Sequence, residues 1–228
     1  MKGFDALSIM LKAPRPGTVK TRLCPPLTHV QAARLYTCFI KDVFSCALKL
    51  DEVDLFAVFT PPDSEKEAAA VIPPVSGLFA QEGASLGARI SNVFTRLFSE
   101  GYKRVVVIGS DSPDIPFEFM EDSFRLLCFR ENTVVLGPAL DGGYYLIGLN
   151  TQANELFEDI RWSGASVLED TLEKARAAML NIELLPKWHD VDRAKDLAFI
   201  KKTGAAHESF RFLQTHVRRA APGKHKRK

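Results

Sequence analysis

An α/β fold, built as one three-layer α/β/α sandwich around a mostly parallel sheet, follows from three observations. Apolar β-branched runs alternate with amphipathic stretches of helical spacing along most of the chain. The run Val105-Val106-Val107-Ile108 is unbroken, which calls for cover on both faces, as in a parallel strand between helix layers. No internal repeat or low-complexity linker interrupts the alternation. One domain is therefore expected over residues 1–204, followed by a C-terminal helix and a basic tail over 205–228.

Phe4 to Leu11 reads as a buried first strand. A helix is expected over Thr28 to Leu48, with Thr28 as N-cap and Val30, Ala33, Tyr36, Ile40, Val43, Phe44 and Ala47 near helical spacing. Val53 to Thr60 is a strand stopped by Pro61-Pro62, and Ser64 to Ala70 a short helix. A short strand is expected at Leu78-Phe79, and an amphipathic helix over Leu86 to Phe98 whose buried face carries Leu86, Ile90, Val93, Leu97 and Phe98. Arg104 to Gly109 is the clearest strand. A helix from Glu118 to Phe129 and strands Thr133 to Leu136 and Tyr144 to Leu149 follow. Ala165 to Met179 reads as a helix, Ile182 to Leu185 as a strand, and Ala194 to Lys202 and Glu208 to Val217 as final helices.

The 228 residues are 46% hydrophobic and 25% charged, the proportions of a soluble globular domain. No apolar run reaches bilayer-spanning length, so no membrane partner is expected. Asp5, Lys12 and Arg15 break up the N-terminal apolar stretch, against a secretory leader. Cys24, Cys38, Cys46 and Cys128 form no C-x-x-C pair, and a reduced, cytoplasmic protein is expected. The net charge of +2 hides an asymmetry. Six Lys and Arg fall in the last eleven residues, and removing them leaves 24 bases against 28 acids. A basic tail of this kind is usually a solvated end, and without interleaved aromatics nucleic acid is not an expected partner. Neither G-x-G-x-x-G nor a P-loop occurs, which argues against a dinucleotide-dependent dehydrogenase and a P-loop NTPase. There is no G-x-S-x-G elbow, and the five histidines have no metal spacing.

Chemistry concentrates at strand ends. The first strand runs into a loop carrying Lys12, Arg15, Gly17, Lys20 and Arg22. Open α/β sheets bind phosphorylated ligands at such ends, and Lys point charges with Arg forks suit a phosphate chain. Asp111, in Gly109-Ser110-Asp111-Ser112-Pro113-Asp114, follows the clearest strand and is placed to hold Mg²⁺ against a polyphosphate. Asp114 reads as a cap for the next helix. In His189-Asp190-Val191-Asp192, two carboxylates flank an apolar residue. One of them could complete a metal site with Asp111, while Asp192 competes as a helix cap. Asp141-Gly142-Gly143 is either an ordinary turn or a place where bound substrate approaches the backbone. The Gly83 to Arg89 segment opens a helix, with Gly87 in an anion- or base-binding turn or, equally, Ser85 as a plain N-cap.

Lys12-Ala13-Pro14-Arg15-Pro16-Gly17, Val19-Lys20-Thr21-Arg22-Leu23, Gly109-Ser110-Asp111, Gly137-Pro138, Asp141-Gly142-Gly143-Tyr144-Tyr145 and Asp190-Val191-Asp192 together resemble the bacterial DUF2064 family. That family falls within the nucleotide-diphospho-sugar transferase superfamily, with the A-type glycosyltransferase fold, and is more distantly similar to phospholactate and molybdenum-cofactor guanylyltransferases. The resemblance covers about residues 4 to 200. It implies that Lys20 and Arg22 lie on nucleotide phosphates, Asp111 and Asp192 hold Mg²⁺ or Mn²⁺, and Gly142 and Gly143 form the acceptor-side loop. The first loop lacks the Gly-rich pattern of typical sugar nucleotidyltransferases, which puts more weight on Lys20 and Arg22.

The expected activity is nucleotidyl transfer from a nucleoside triphosphate to a small phosphorylated acceptor, with pyrophosphate release. The first alternative is a glycosyltransferase using a nucleotide-sugar donor and a hydroxyl acceptor, with Asp141 as base. The second is a non-catalytic nucleotide-binding module.

Overall fold

The computed structural model describes residues 3–162, 164–202 and 204–216. These residues form one seven-stranded sheet in the order β3-β2-β1-β4-β6-β5-β7. The strands are β1 (Asp5–Lys12), β2 (Val53–Thr60), β3 (Gly77–Ala80), β4 (Arg104–Gly109), β5 (Thr133–Pro138), β6 (Tyr144–Leu149) and β7 (Asn181–Leu184). The helices are α1 (His29–Ala47), α2 (Glu65–Ala69), α3 (Leu86–Ser99), α4 (Phe117–Phe129), α5 (Val167–Ala177), α6 (Leu197–Ile200) and α7 (Glu208–His216). The α/β sandwich read from the sequence is the observed architecture. None of these helices is long and apolar enough to cross a membrane.

Strand periodicity divides the core into two layers. Val106 and Ile108 of β4 join Leu7, Ile9 and Leu11 beneath α1 and α4, while Val105 and Val107 turn to the opposite face with Ile90, Phe94 and Leu97 of α3. Successive strand residues point to opposite faces, so an unbroken apolar run feeds both layers. α7 adds Phe212 and Leu213 to the α1 side, and its first two amides, those of Glu208 and Ser209, donate to the buried Asp42 carboxylate at 2.7 and 2.9 Å. Val217, expected at the end of this helix, and the tail from 218 lie outside the described residues.

Thr28 caps α1 as expected, within a capping box completed by Gln31. Two apolar positions depart from expectation: Val30 is 55% and Leu86 47% exposed. Each sits in the first turn of its helix, before the helix reaches the core, so correct spacing there does not guarantee burial.

β1, β2, β3 and β4 are mutually parallel, while β6 runs antiparallel between β4 and β5. The chain leaves β1 for β2 on one side and returns to β4 on the other. This reversal opens a crevice at the carboxyl ends of β1 and β4, where α/β sheets receive ligands. Because β6 is antiparallel, the 139–143 turn joining it to β5 opens at the same end.

Candidate active site

Four segments meet at that crevice: the loop after β1, the loop after β4, the β5–β6 turn, and an extended strap following β7. The strap is tied across the strand ends by backbone hydrogen bonds. Trp188 N–H donates to Pro138 O at 3.0 Å, Leu140 N–H to Trp188 O at 2.9 Å, and Val191 N–H to Asp111 O at 2.9 Å. The last bond fixes the Asp190–Asp192 segment directly beside the β4 loop.

Lys20 is the point of convergence. Its backbone is left-handed, with φ of 48°, and its side chain is 4% exposed. The ammonium donates to Val191 O at 2.8 Å and lies 2.8 Å from Asp111 Oδ1. It also sits 5.6 and 5.9 Å from the ring centroids of Phe39 and Tyr36, a further attraction for a cation. Arg22 reaches across to the strap and pairs with Asp192 Oδ2 at 2.8 Å, in a more exposed setting. Arg22 and Asp192, which the sequence separates by 170 positions, are therefore neighbours, as are Lys20 and Asp111.

Supporting contacts hold this arrangement. Tyr36 places its hydroxyl between the two strand ends, accepting from Lys12 N–H at 3.1 Å and sharing a 2.6 Å hydrogen bond with Ser110 Oγ. Burial raises its phenol far above the usual range, with the Asp111 charge adding to the effect, so it keeps its proton. Asp190 accepts from Ser112 Oγ at 2.6 Å. Burial lifts the Asp190 carboxyl to about 6; Asp111 and Asp141 push the same way, against the Ser112 bond and the Lys20 charge. Ser112, Tyr36 and the Val191 carbonyl were not singled out from the sequence for the site. A tyrosine on a buried helical stripe was the available signal, because a buried phenol needs a hydrogen-bond partner.

Several expected residues are engaged differently. Arg15 binds Glu67 through Nε and Nη2, at 2.9 and 2.7 Å, and reaches Asp63 at 3.4 Å, so its charge is committed to α2 and the turn before it. Lys12 Nζ donates to Thr18 O at 2.9 Å and braces the loop that contains Gly17. Asp114 does not cap α4, whose N-cap is Pro116 without a side-chain bond. Asp114 instead lies 2.9 Å from His189 Nε2, and that ring is stacked between Trp188 and Phe199. Asp192 is not a helix cap either: Asp196 accepts from Asp192 and Arg193 N–H at 3.2 and 2.7 Å and does that work.

Gly87 is packed rather than open, for a Cβ there would stand 2.6 Å from Phe157 O and from the Trp162 ring. The Ser85 hydroxyl takes the Ala88 N–H, so the capping alternative describes this turn. Gly142 has φ of 96°, and an added Cβ would lie 2.2 Å from Ala165 O, so close chain packing alone demands glycine. Gly143 has room, and its N–H donates to Asp141 Oδ1 at 3.0 Å across the turn.

The donor set facing the crevice is all oxygen. The Asp111 and Asp192 side chains are 51% and 43% exposed. Among the described residues no three metal-ligating side chains already form a cage. Mg²⁺ needs only one or two carboxylates when phosphate and water complete its octahedron, and Mn²⁺ accepts the same ligands. The residues therefore fit a hard divalent cation delivered with a phosphate chain.

The reversal-point crevice, the parallel strands around it and the antiparallel β6 define the class: a protein with the nucleotide-diphospho-sugar transferase fold. The family model for DUF2064, described as an uncharacterized protein conserved in bacteria, matches residues 44–164. The chain is 34% identical to a protein from Desulfovibrio desulfuricans G20 provisionally named a nucleotide-diphospho-sugar transferase, over 95% of this chain and 96% of that one, with a TM-score of 0.87. This chain belongs to the DUF2064 family. The fold recurs at 13% identity in CMP:2-keto-3-deoxy-manno-octonic acid synthetase complexed with CTP, with a TM-score of 0.55 over 86% of this chain and 97% of that one. It recurs at 12% identity in the manganese complex of Rv0371C from Mycobacterium tuberculosis H37Rv, with a TM-score of 0.50 over 86% and 97%. No curated protein matches the chain.

Proposed function

We propose that this chain is a divalent-metal-dependent transferase that moves a nucleotidyl group from a nucleoside triphosphate to a phosphorylated acceptor, releasing pyrophosphate. One observation carries the reading: Lys20 Nζ stands 2.8 Å from both Asp111 Oδ1 and Val191 O, at the strand ends where phosphates bind. The CTP bound by one protein of the same fold and the manganese bound by another support it.

An acceptor phosphate oxygen attacks the α-phosphorus, the bond from that phosphorus to the α–β bridging oxygen breaks, and pyrophosphate departs. Lys20 and Arg22 neutralise the charge gathering on the leaving group. Asp111 and Asp192 would hold Mg²⁺ or Mn²⁺, which when bound supplies Lewis-acid neutralisation of the phosphate oxygens. The nucleophile is already ionised, so no general base is required. The Asp141–Gly143 turn faces the acceptor side, and the strap tied to Asp111 keeps the two walls in register.

The name given to the Desulfovibrio relative favours a second reading, glycosyl transfer from a nucleotide sugar to a hydroxyl, with Asp141 taking the proton. Products decide between them. Incubation with each nucleoside triphosphate, Mg²⁺ or Mn²⁺ and a panel of sugar phosphates should release pyrophosphate, and Asp111→Asn should abolish that release while leaving the circular dichroism spectrum unchanged. Nucleoside diphosphate release from nucleotide sugars would favour the second reading. A protein that binds no nucleotide in a thermal-shift screen would overturn both.

A further inference from the structure

The two acids that suit a metal are already neutralised by the chain itself. Asp111 is paired with Lys20 and Asp192 with Arg22, each at 2.8 Å. The partners are the same two cations that suit the phosphate chain. We propose that Lys20 is the resident counter-ion of Asp111, so that a divalent cation and a polyphosphate enter this site only as a pair, each releasing one half of the Lys20–Asp111 bond for the other. This rests on the transferase reading for the location of the site, but its logic is that of charge and burial.

The Lys20 side chain is 4% exposed, and its ammonium lies 5.6 and 5.9 Å from the ring centroids of Phe39 and Tyr36. Enclosed to this degree and bonded to Val191 O at 2.8 Å, the ammonium has little water to replace its carboxylate. A divalent cation on Asp111 alone would strip Lys20 of its carboxylate and leave a buried ammonium facing two added positive charges. A polyphosphate on Lys20 alone would meet the freed Asp111 carboxylate, with Asp190 and Asp192 close by on the strap. Both penalties vanish when the two ligands arrive together, because the phosphates take the ammonium and the metal takes the carboxylate. Linkage makes the effect reciprocal: whatever factor the metal adds to polyphosphate affinity, the polyphosphate adds to metal affinity.

The test reads binding, with Mn²⁺ and inorganic tripolyphosphate as probes, so that neither nucleobase specificity nor turnover enters. Free Mn²⁺ is followed by electron paramagnetic resonance, first with protein alone. Lys20→Met keeps an unbranched apolar stem, one atom shorter, and deletes the charge. It should bind Mn²⁺ alone about tenfold more tightly than the wild type, and should lose about tenfold in tripolyphosphate affinity at saturating Mn²⁺. Chelation of Mn²⁺ by tripolyphosphate in solution cannot mimic the first result, since no polyphosphate is present. Arg22→Gln alters a side chain that is 67% exposed and should give a smaller gain of the same sign. A folded Lys20→Met with unchanged or weaker Mn²⁺ affinity overturns the proposal. If Lys20→Met does not fold, an Arg22→Gln protein with no gain overturns it instead. A wild type that binds no nucleoside triphosphate with Mn²⁺, beside a Lys20→Met that gains Mn²⁺ affinity, sinks the transferase reading and leaves the counter-ion inference standing.

Discussion

Replacing Tyr36 by Phe removes one oxygen atom at the place where two strand ends are tied together beside the crevice. Tyr36 is 4% exposed, and its hydroxyl serves both Lys12 N–H on β1 and Ser110 Oγ beyond β4. The ring itself stays, so apolar burial hardly changes. What changes is that a backbone donor and a buried serine hydroxyl, 3% exposed, lose their partner. A buried group left unsatisfied costs about 1–3 kcal/mol. Ser110 can rotate its hydroxyl toward another acceptor, so the Lys12 amide dominates and a loss of about 2 kcal/mol is expected. In a chain of this size that corresponds to a fall in Tm of about 4–8 °C. Thermal and urea unfolding of wild type, Tyr36→Phe, Ser110→Ala and the double variant would measure it. The two single losses should not add, because both report on the same bond. A Tm within about 1 °C of wild type, or simple additivity, would show that the phenol does not join the strand ends.

Asp42→Ala should release α7: the two amide bonds lost with that carboxylate are worth about 2 kcal/mol, and hydrogen exchange should quicken selectively over residues 208–216. Unchanged protection of those amides would refute the role. Asp190 gives a pH prediction. Its folded carboxyl, lifted to about 6 chiefly by burial, binds a proton more tightly than in the unfolded chain. The stability from that preference is complete below pH 4 and lost as pH rises through 6, a change of up to about 3 kcal/mol. In the presence of a chelator, Asp190→Asn should flatten the fall in Tm between pH 4.5 and about 7, and an unaltered slope would contradict it.

Much of the fold was legible because several strands carry unbroken apolar runs with hard stops. β2 ends against Pro61, and β4 and β6 have the limits expected of them. The Thr28 cap was legible because its chemistry is local. Strand direction was not: nothing within Tyr144 to Leu149 distinguishes antiparallel from parallel, and only pairing on both sides decides it. At the site, residue types suggested the charges at Lys20, Arg22, Asp111 and Asp192, but not which partner each would choose. Arg15, read with Lys20 as a cation of the phosphate loop, instead found Glu67, because α2 brings an acidic turn beside it. Asp114 looked like a cap, and Asp192 like either a metal ligand or a cap, since a cap needs only the right residue near a helix start. Their actual partners, His189 and Arg22, are 75 and 170 positions away. The Val191 carbonyl could not be anticipated, because a backbone acceptor leaves no mark in the identity of its residue.

The reversed course of β6 has a consequence for how such a protein can diversify. One wall of the crevice is delivered by crossovers, each anchored by a helix that must keep docking on the sheet. The other is delivered by the tip of a hairpin, where extra residues cost little closure entropy and leave the strand pairing intact. Relatives can therefore enlarge or reshape the hairpin side of the crevice by altering that tip, while the side carrying Lys20 and Arg22 stays as it is.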